Sequence, residues 1–353
     1  MRILIVGAGP TGLTAAIELA RKGHDVEIIE KHAQPSNLSK AVGIMPNSLH
    51  LFEASGVTSE LIKYGVKLSN VSINFDEHEY AKIDLSAATS TYPFVLALPQ
   101  NETEEILRET LEKIGVRVSF DTEFESLSEN LDKVVVKFKD GAIKDYNYVI
   151  GADGIKSSVR EQLEIDYIGY ELEKTWSIAD VVIKNWQATN TFSVYRVNKG
   201  TLAVVAPIAK NRYRVISNTE NALKALPFEV SVDETFREGQ FSISVRQATT
   251  YQKGRVFLAG DSAHCHSPVG GRGMNLGIAD SACLAEMLTN NTQDKYTSVR
   301  HPEGSVIIKQ SEKVRRFIGS ENVFKYQLAK IGLTVANKNS IINRKIANMA
   351  LGV

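Results

Sequence analysis

With 353 residues the chain can bury a large core and is expected to form two lobes. Lys plus Arg and Asp plus Glu each total 41, so the formal net charge is zero, which excludes a nucleic-acid or anionic-membrane partner held by bulk charge. The two cysteines, Cys265 and Cys283, make no disulfide framework and predict a reducing, cytoplasmic setting. The apolar start Ile3–Val6 is too short for a signal peptide, and no uncharged run approaches the roughly 20 residues that span a bilayer.

In chain order, Ile3–Val6 reads as a buried strand and Gly7-Ala8-Gly9-Pro10-Thr11-Gly12 as a full G-x-G-x-x-G turn. Leu13, Ala16, Ile17 and Ala20 recur at helical spacing, and Val26–Ile29 is a second strand ending at Glu30 and Lys31. Each part suits a dinucleotide. Gly7 makes the tight turn, Gly9 lets backbone approach a pyrophosphate, Gly12 lets helix and strand pack, and Glu30 can accept from ribose hydroxyls. An acid at position 30 argues for an unphosphorylated ribose, hence FAD or NAD.

Lys40 lies in the loop before a short helix for which Asn47 is the expected cap, and Tyr92–Leu98 is a strand. Gln100 stands at that strand's junction with an amphipathic helix running to Ile114, where a ligand-contacting side chain would sit. Lys133–Lys139 alternates and turns at Asp140-Gly141. Val149-Ile150 leads into Gly151-Ala152-Asp153-Gly154, a second strand-to-glycine turn. From Tyr167 to Val245 the texture becomes β-rich: Trp176–Ile183, Thr191–Val197, Thr201–Ile208, Tyr213–Ser217 and Gln240–Val245 read as antiparallel strands, with turns such as Asn198-Lys199-Gly200. Such a sheet would cover a substrate, and Phe192, Tyr195, Tyr213 and Arg214 are its candidate wall residues.

The stretch Val256–Asn275 combines a buried strand, the stop Gly260-Asp261, Pro268, and Gly270-Gly271-Arg272-Gly273-Met274-Asn275 opening a helix. Glycines there let backbone lie against a flat ligand, and the helix aims free N–H groups at it. His264-Cys265-His266 has poor geometry for a tetrahedral metal, and no metal is expected. The expected organisation is a nucleotide domain of residues 1–70, 93–165 and 252–290, a β-sheet substrate domain of 71–92 and 166–251, and a helical region of 291–353.

Taken together, Gly7–Gly12 with Glu30, Gly151–Gly154 with Ser157 and Arg160, and Gly260-Asp261 with His264, Pro268 and Gly270–Asn275 resemble the three motifs of class A flavoprotein monooxygenases, the FAD-dependent aromatic hydroxylases related to 4-hydroxybenzoate hydroxylase. Lesser landmarks agree: Ser39-Lys40-Ala41, Pro99-Gln100, Trp176–Val181, Arg246, Tyr251 and Arg300-His301-Pro302. The resemblance implies a Rossmann-like α/β FAD fold with an inserted antiparallel sheet and C-terminal helices. It places Gly7, Gly9, Pro10, Thr11, Gly12, Glu30, Lys31, Lys40, Gln100, Asp153, Gly154, Gly260, Asp261 and Gly271–Asn275 around FAD, with Asp261 on the ribityl chain. Pro268 would face the substrate and Gly270–Asn275 would underlie the reacting ring, with Pro268 and Gly270 as the expected catalytic positions. Lys40 stands where the family usually has arginine, and Arg272 where it usually has glutamine or lysine.

The implied reaction has NAD(P)H reduce the flavin, which reacts with O2 to a C4a-hydroperoxide that hydroxylates an aromatic, phenolic small molecule. The partners expected are that substrate and O2, in a monomer or homodimer. The same FAD motifs also serve reductases, halogenases and flavin-binding proteins without turnover. Trp176 and Trp186, the only tryptophans, do not fit the halogenase signature.

Overall fold

The computed structural model describes residues 1–37, 39–184, 186–197, 200–318 and 339–353; the expected turn at Asn198-Lys199 lies outside these. Two sheets dominate. The first has six strands in the order Gln252–Lys253, Val256–Leu258, Tyr148–Gly151, Arg2–Val6, Asp25–Ile29 and Val118–Ser119. All neighbours pair in parallel except the first two. Both faces of a parallel sheet are covered, so its strands are apolar throughout: Ile3, Leu4 and Ile5, Ile28, Val149, Ile150, Phe257 and Leu258 are all inaccessible to solvent. Helices Pro10–Arg21 and Gly273–Thr289 pack together beside it.

Parallel strands bring their carboxyl ends to one edge, and ligands of open α/β sheets bind outside that edge. Here Val6, Ile29, Gly151 and Leu258 end there, so Gly7–Gly12, Glu30, Asp153-Gly154 and Gly260-Asp261 converge from four distant stretches of sequence.

The second sheet has seven strands in the order Val232–Phe241, Trp176–Ile183, Arg212–Ser217, Thr201–Ala209, Thr191–Val197, Asn70–Phe75 and His78–Asp84. It departs from the expected meander in two ways. Thr191–Val197 pairs in parallel with Asn70–Phe75, because the chain returns to this sheet after a long excursion through the first. The expected strand Gln240–Val245 is instead split between Val232–Phe241, an edge strand, and Ser244–Ala248, which belongs to a separate three-stranded sheet.

Cross-strand partners share a face. Phe192, Val194, Val204, Ile216 and Arg214 therefore lie on one side of the seven-stranded sheet, in register with Val71 and Ile73. Val194, Val204 and Ile216 join Val269 of the third motif in an apolar cluster around Trp176, Leu202, Ile243 and Val245. This side is thus turned towards the first sheet's ligand edge. Tyr195 and Tyr213 point the other way and pack with Trp186 and Phe228 in a separate core. The expectation that these two tyrosines line the substrate wall is corrected: strand alternation places them on the far face. Two described helices follow the motifs, Tyr296–Ile318 and Ser340–Leu351, and none of the described helices is long and apolar enough to cross a membrane.

Candidate FAD site

The first turn is shaped by steric necessity. A Cβ on Gly12 would stand 1.9 Å from the Gly7 carbonyl oxygen. One on Gly7, whose φ is +104°, would stand 2.4 Å from the Ala152 oxygen, so the first and second motifs pack backbone to backbone there. Gly9 is different: a Cβ there meets nothing within 4 Å. Pro10 opens the helix behind it, a position that needs no N–H. The Glu30 carboxylate accepts from Ala8 N at 3.1 Å and from His32 N at 3.1 Å, which fixes it at the lip of the turn. Lys31 is exposed beside it.

Thr11 serves packing. Its Oγ1 would lie 2.4 Å from a Cβ on Gly260 and 2.3 Å from one on Gly277, and its carbonyl accepts from Ser281 Oγ at 2.7 Å. Two glycines on the third-motif side thus make room for one threonine on the first helix.

In the second motif, Asp153 accepts from Ser157 Oγ at 2.5 Å and Val159 N at 3.1 Å; burial pushes its carboxyl pKa up while these bonds restrain the rise. Gly154 has a φ of +82° and open space where a Cβ would be. Arg160 is buried and donates to Ser262 O and Ile155 O, both at 2.9 Å, wiring the second motif to the third.

In the third motif, Gly260 adopts φ +66° and its N–H donates to Asp280 Oδ2 at 3.1 Å. Asp280 is fully buried and also meets His264 Nε2 at 2.5 Å and Arg300 Nε at 2.7 Å. Burial alone would raise its pKa, but His264 and Arg300 overcome this and hold it below the usual carboxylate range. His264 therefore braces the turn. Asp261 is exposed as a residue, while burial of its carboxyl raises its pKa against the lowering effect of His264 and Lys40. Pro268, Gly270 and Gly271 are exposed in a tight turn closed by Gly271 N to Pro268 O at 3.0 Å. The helix starts at Gly273, earlier than Asn275, and Met274 packs against the main core.

Two expected ligand-contacting amides hold protein instead. Asn275 accepts from Met45 N and Ser48 Oγ, both at 2.8 Å, and donates to Gly43 O and Gly271 O, both at 2.9 Å. Gln100 accepts from Ala41 N at 2.9 Å and donates to Glu104 at 2.8 Å. Asn47 does not cap its helix; Met45 occupies the cap, and Asn47 donates to Gly352 O at 3.3 Å. Arg214, expected as a wall residue, is inaccessible: it forks onto Asp180 with two bonds of 2.7 Å and donates to Lys40 O at 3.1 Å. The Lys40 side chain itself is exposed. A cavity of about 790 Å³ bordered by Asp76, Thr219, Lys224 and Pro227 includes none of the motif residues.

Sequence reasoning missed Asp280 and the role of Arg300. A signal was present: Asp280 falls midway between Leu276 and Leu284 on a buried helical stripe, where a carboxylate demands a partner.

His266 was likewise unassigned. Burial lowers its pKa from 6.5 to about 4, against the bond between its Nδ1 and Ser267 O. Between those values the unfolded chain binds a proton that the folded one refuses, so stability falls as pH drops through this window. We expect a loss of roughly 3 kcal/mol from pH 7 to pH 4 from this residue. Urea denaturation of His266→Gln at both pH values checks it: the variant should lose that share of the slope.

The FAD binding domain family matches residues 1–311. The chain belongs to this FAD-binding family. The glycines fit such a cofactor, since Gly9, Gly154 and Gly270 border open space beside the fixed Glu30 carboxylate. Among the relatives, the pentachlorophenol 4-monooxygenase of Sphingobium chlorophenolicum is 35% identical over 302 residues, covering 79% of this chain. The chain spans 56% of that relative's length. The solved p-nitrophenol 4-monooxygenase of Pseudomonas putida DLL-E4 superposes with a TM-score of 0.89 at 21% identity, covering 99% of this chain and 97% of that one. A Diels-Alderase from pyrroindomycin biosynthesis superposes at 0.82 with 24% identity, covering 100% and 80%. Both structures speak for the fold of this FAD-binding chain.

Proposed function

We propose that this chain is an FAD-dependent monooxygenase that uses NAD(P)H and O2 to hydroxylate a phenolic small molecule. The observation that carries this reading is the juxtaposition of the Pro268–Gly271 turn, whose Pro268, Gly270 and Gly271 are exposed and whose half-buried Val269 packs in one cluster with Val194, Val204 and Ile216, with the apolar face of the second sheet. When bound, FAD supplies the hydride and oxygen chemistry; the chain supplies position, charge and dryness. The Gly7–Gly12 turn would seat the pyrophosphate, Glu30 the adenosine ribose and Asp261 the ribityl chain. Lys40, exposed beside the Arg214-held backbone, would offer a single positive charge to the phosphates. The N-terminus of Gly273–Thr289 would offer free N–H groups and partial positive charge to the electron-rich edge of a bound flavin. Phe192 shares the face of Val194 and Val204, and with Val269 would exclude water around a substrate set against Pro268 and Gly270. In this reading residues 1–70, 93–165 and 252–290 form the cofactor domain, and 71–92 with 166–251 form the substrate domain.

Protein reconstituted with FAD should oxidise NADH or NADPH several-fold faster once a suitable phenol is added. Equal rates with and without every phenol tried would refute the reading. The Diels-Alderase likeness favours a second reading, in which the fold binds flavin and an organic ligand without redox turnover; it predicts phenol binding with no stimulation.

A further inference from the structure

We propose that the helix Ser340–Leu351 is the end wall of the substrate cleft, that it restricts the cleft to compact single-ring aromatics, and that Arg272 is the specificity-determining residue that latches it. This rests on the function proposed above. The helix sets Ile346, Ala347, Ala350 and Leu351 against a cluster that includes Val71, Ile73, Ile83 and Leu85. Val71 and Ile73 are in register with Phe192 and Val194, so the helix covers the continuation of the same face that meets Val269. A ring system extending along this row past Val194 runs into the helix.

Apolar burial holds this helix only weakly. Ala347 and Leu351 are its only fully buried residues, while Ile341 and Met349 are 65% and 67% exposed. A helix of twelve residues is marginal by itself, so its polar tethers matter, and they come from three separate elements. Thr89 N donates to Asn348 Oδ1 at 2.9 Å, Asn47 Nδ2 to Gly352 O at 3.3 Å, and Arg272 Nη2 to Met349 O at 2.7 Å. The Arg272 bond is charge-assisted and falls on a helix C-terminus, where carbonyls lack partners and the dipole favours a cation. Its other arm donates to Gln310 Oε1 at 2.9 Å, so one guanidinium joins both C-terminal helices to the loop after Pro268. A glutamine or lysine at position 272 could not make both bonds with this geometry.

The test compares FAD-loaded wild type, Arg272→Ala and Leu351→Ala, the last loosening the helix from its apolar side should the first fail to fold. Hydrogen exchange at residues 340–351 should quicken about tenfold or more in either variant. By equilibrium dialysis, wild type should bind phenol and exclude 2-hydroxyanthracene, a three-ring phenol, whereas the variants should gain about tenfold in affinity for the larger compound. Unchanged exchange, or wild type that takes the three-ring compound as tightly as phenol, would overturn the proposal. Wild type that binds phenol selectively without oxidising NAD(P)H sinks the monooxygenase reading and leaves size selection standing.

Discussion

A Gly9→Ala chain is expected to fold normally and lose FAD, whereas Gly12→Ala is expected to lose the fold itself. Both belong to one turn, so the contrast separates cofactor contact from packing. The added Cβ of Gly12→Ala falls 1.9 Å from the Gly7 oxygen, and neither backbone can retreat, since Gly7 N bonds to Ile29 O and Leu13 N to Gly9 O. The cost should exceed about 3 kcal/mol. Gly9 has an extended backbone of φ −75° and ψ −177° that alanine adopts freely, and its Cβ enters open space. Its stability penalty should stay within about 1 kcal/mol. The same methyl would occupy the volume offered to the pyrophosphate, and FAD affinity should fall by about thirtyfold or more, near 2 kcal/mol. Thermal unfolding of the apoproteins and FAD titration of each give both numbers. A Gly9→Ala protein with wild-type FAD affinity would remove the first turn from the site.

Asp180→Ala should be the most damaging single change in the second sheet. Asp180 is 1% exposed and Arg214 inaccessible, so deleting the carboxylate strands a guanidinium away from water, at a cost of about 3–5 kcal/mol. Removing both charges as Asp180→Leu with Arg214→Met should cost much less, because nothing charged is then left buried. Urea denaturation of Asp180→Leu, Arg214→Met and the double completes a cycle, and additivity would show that the pair does not act as a unit. Every variant that lacks Arg214 also frees the Lys40 carbonyl, leaving that side of the loop to Arg237, which holds Ser39 O at 2.5 Å, and to Gln100, which accepts from Ala41 N. FAD affinity should therefore drop in the double variant even where stability recovers.

Local patterns made the nucleotide half readable. An apolar run, a glycine turn and helical spacing in Ile3–Ile29 have one physical solution, and the observed elements are Arg2–Val6, Pro10–Arg21 and Asp25–Ile29. Trp176–Ile183 and Thr191–Val197 have the bounds that their alternation predicts. Alternation does not say which of two faces looks inward, and so Tyr195 and Tyr213 were placed on the wrong one. Val232–Phe241 escaped notice because an edge strand can remain charged: Asp233, Glu234 and Glu238 are exposed, which also discourages pairing with other chains. The braces were hidden for another reason. Asp180 meets Arg214, Asp280 meets Arg300, and Asn275 meets Met45 only through the folded topology, and a polar residue in a motif looks alike whether it binds ligand or backbone.

The central claim, that this FAD-binding chain inserts oxygen into a phenol, is tested most directly by turnover under 18O2. FAD-loaded protein supplied with NAD(P)H and a single-ring phenol should give a hydroxylated product carrying one labelled oxygen atom. Product labelled instead from H218O, or NAD(P)H consumed with hydrogen peroxide as the sole oxygen product for every phenol tried, would contradict it.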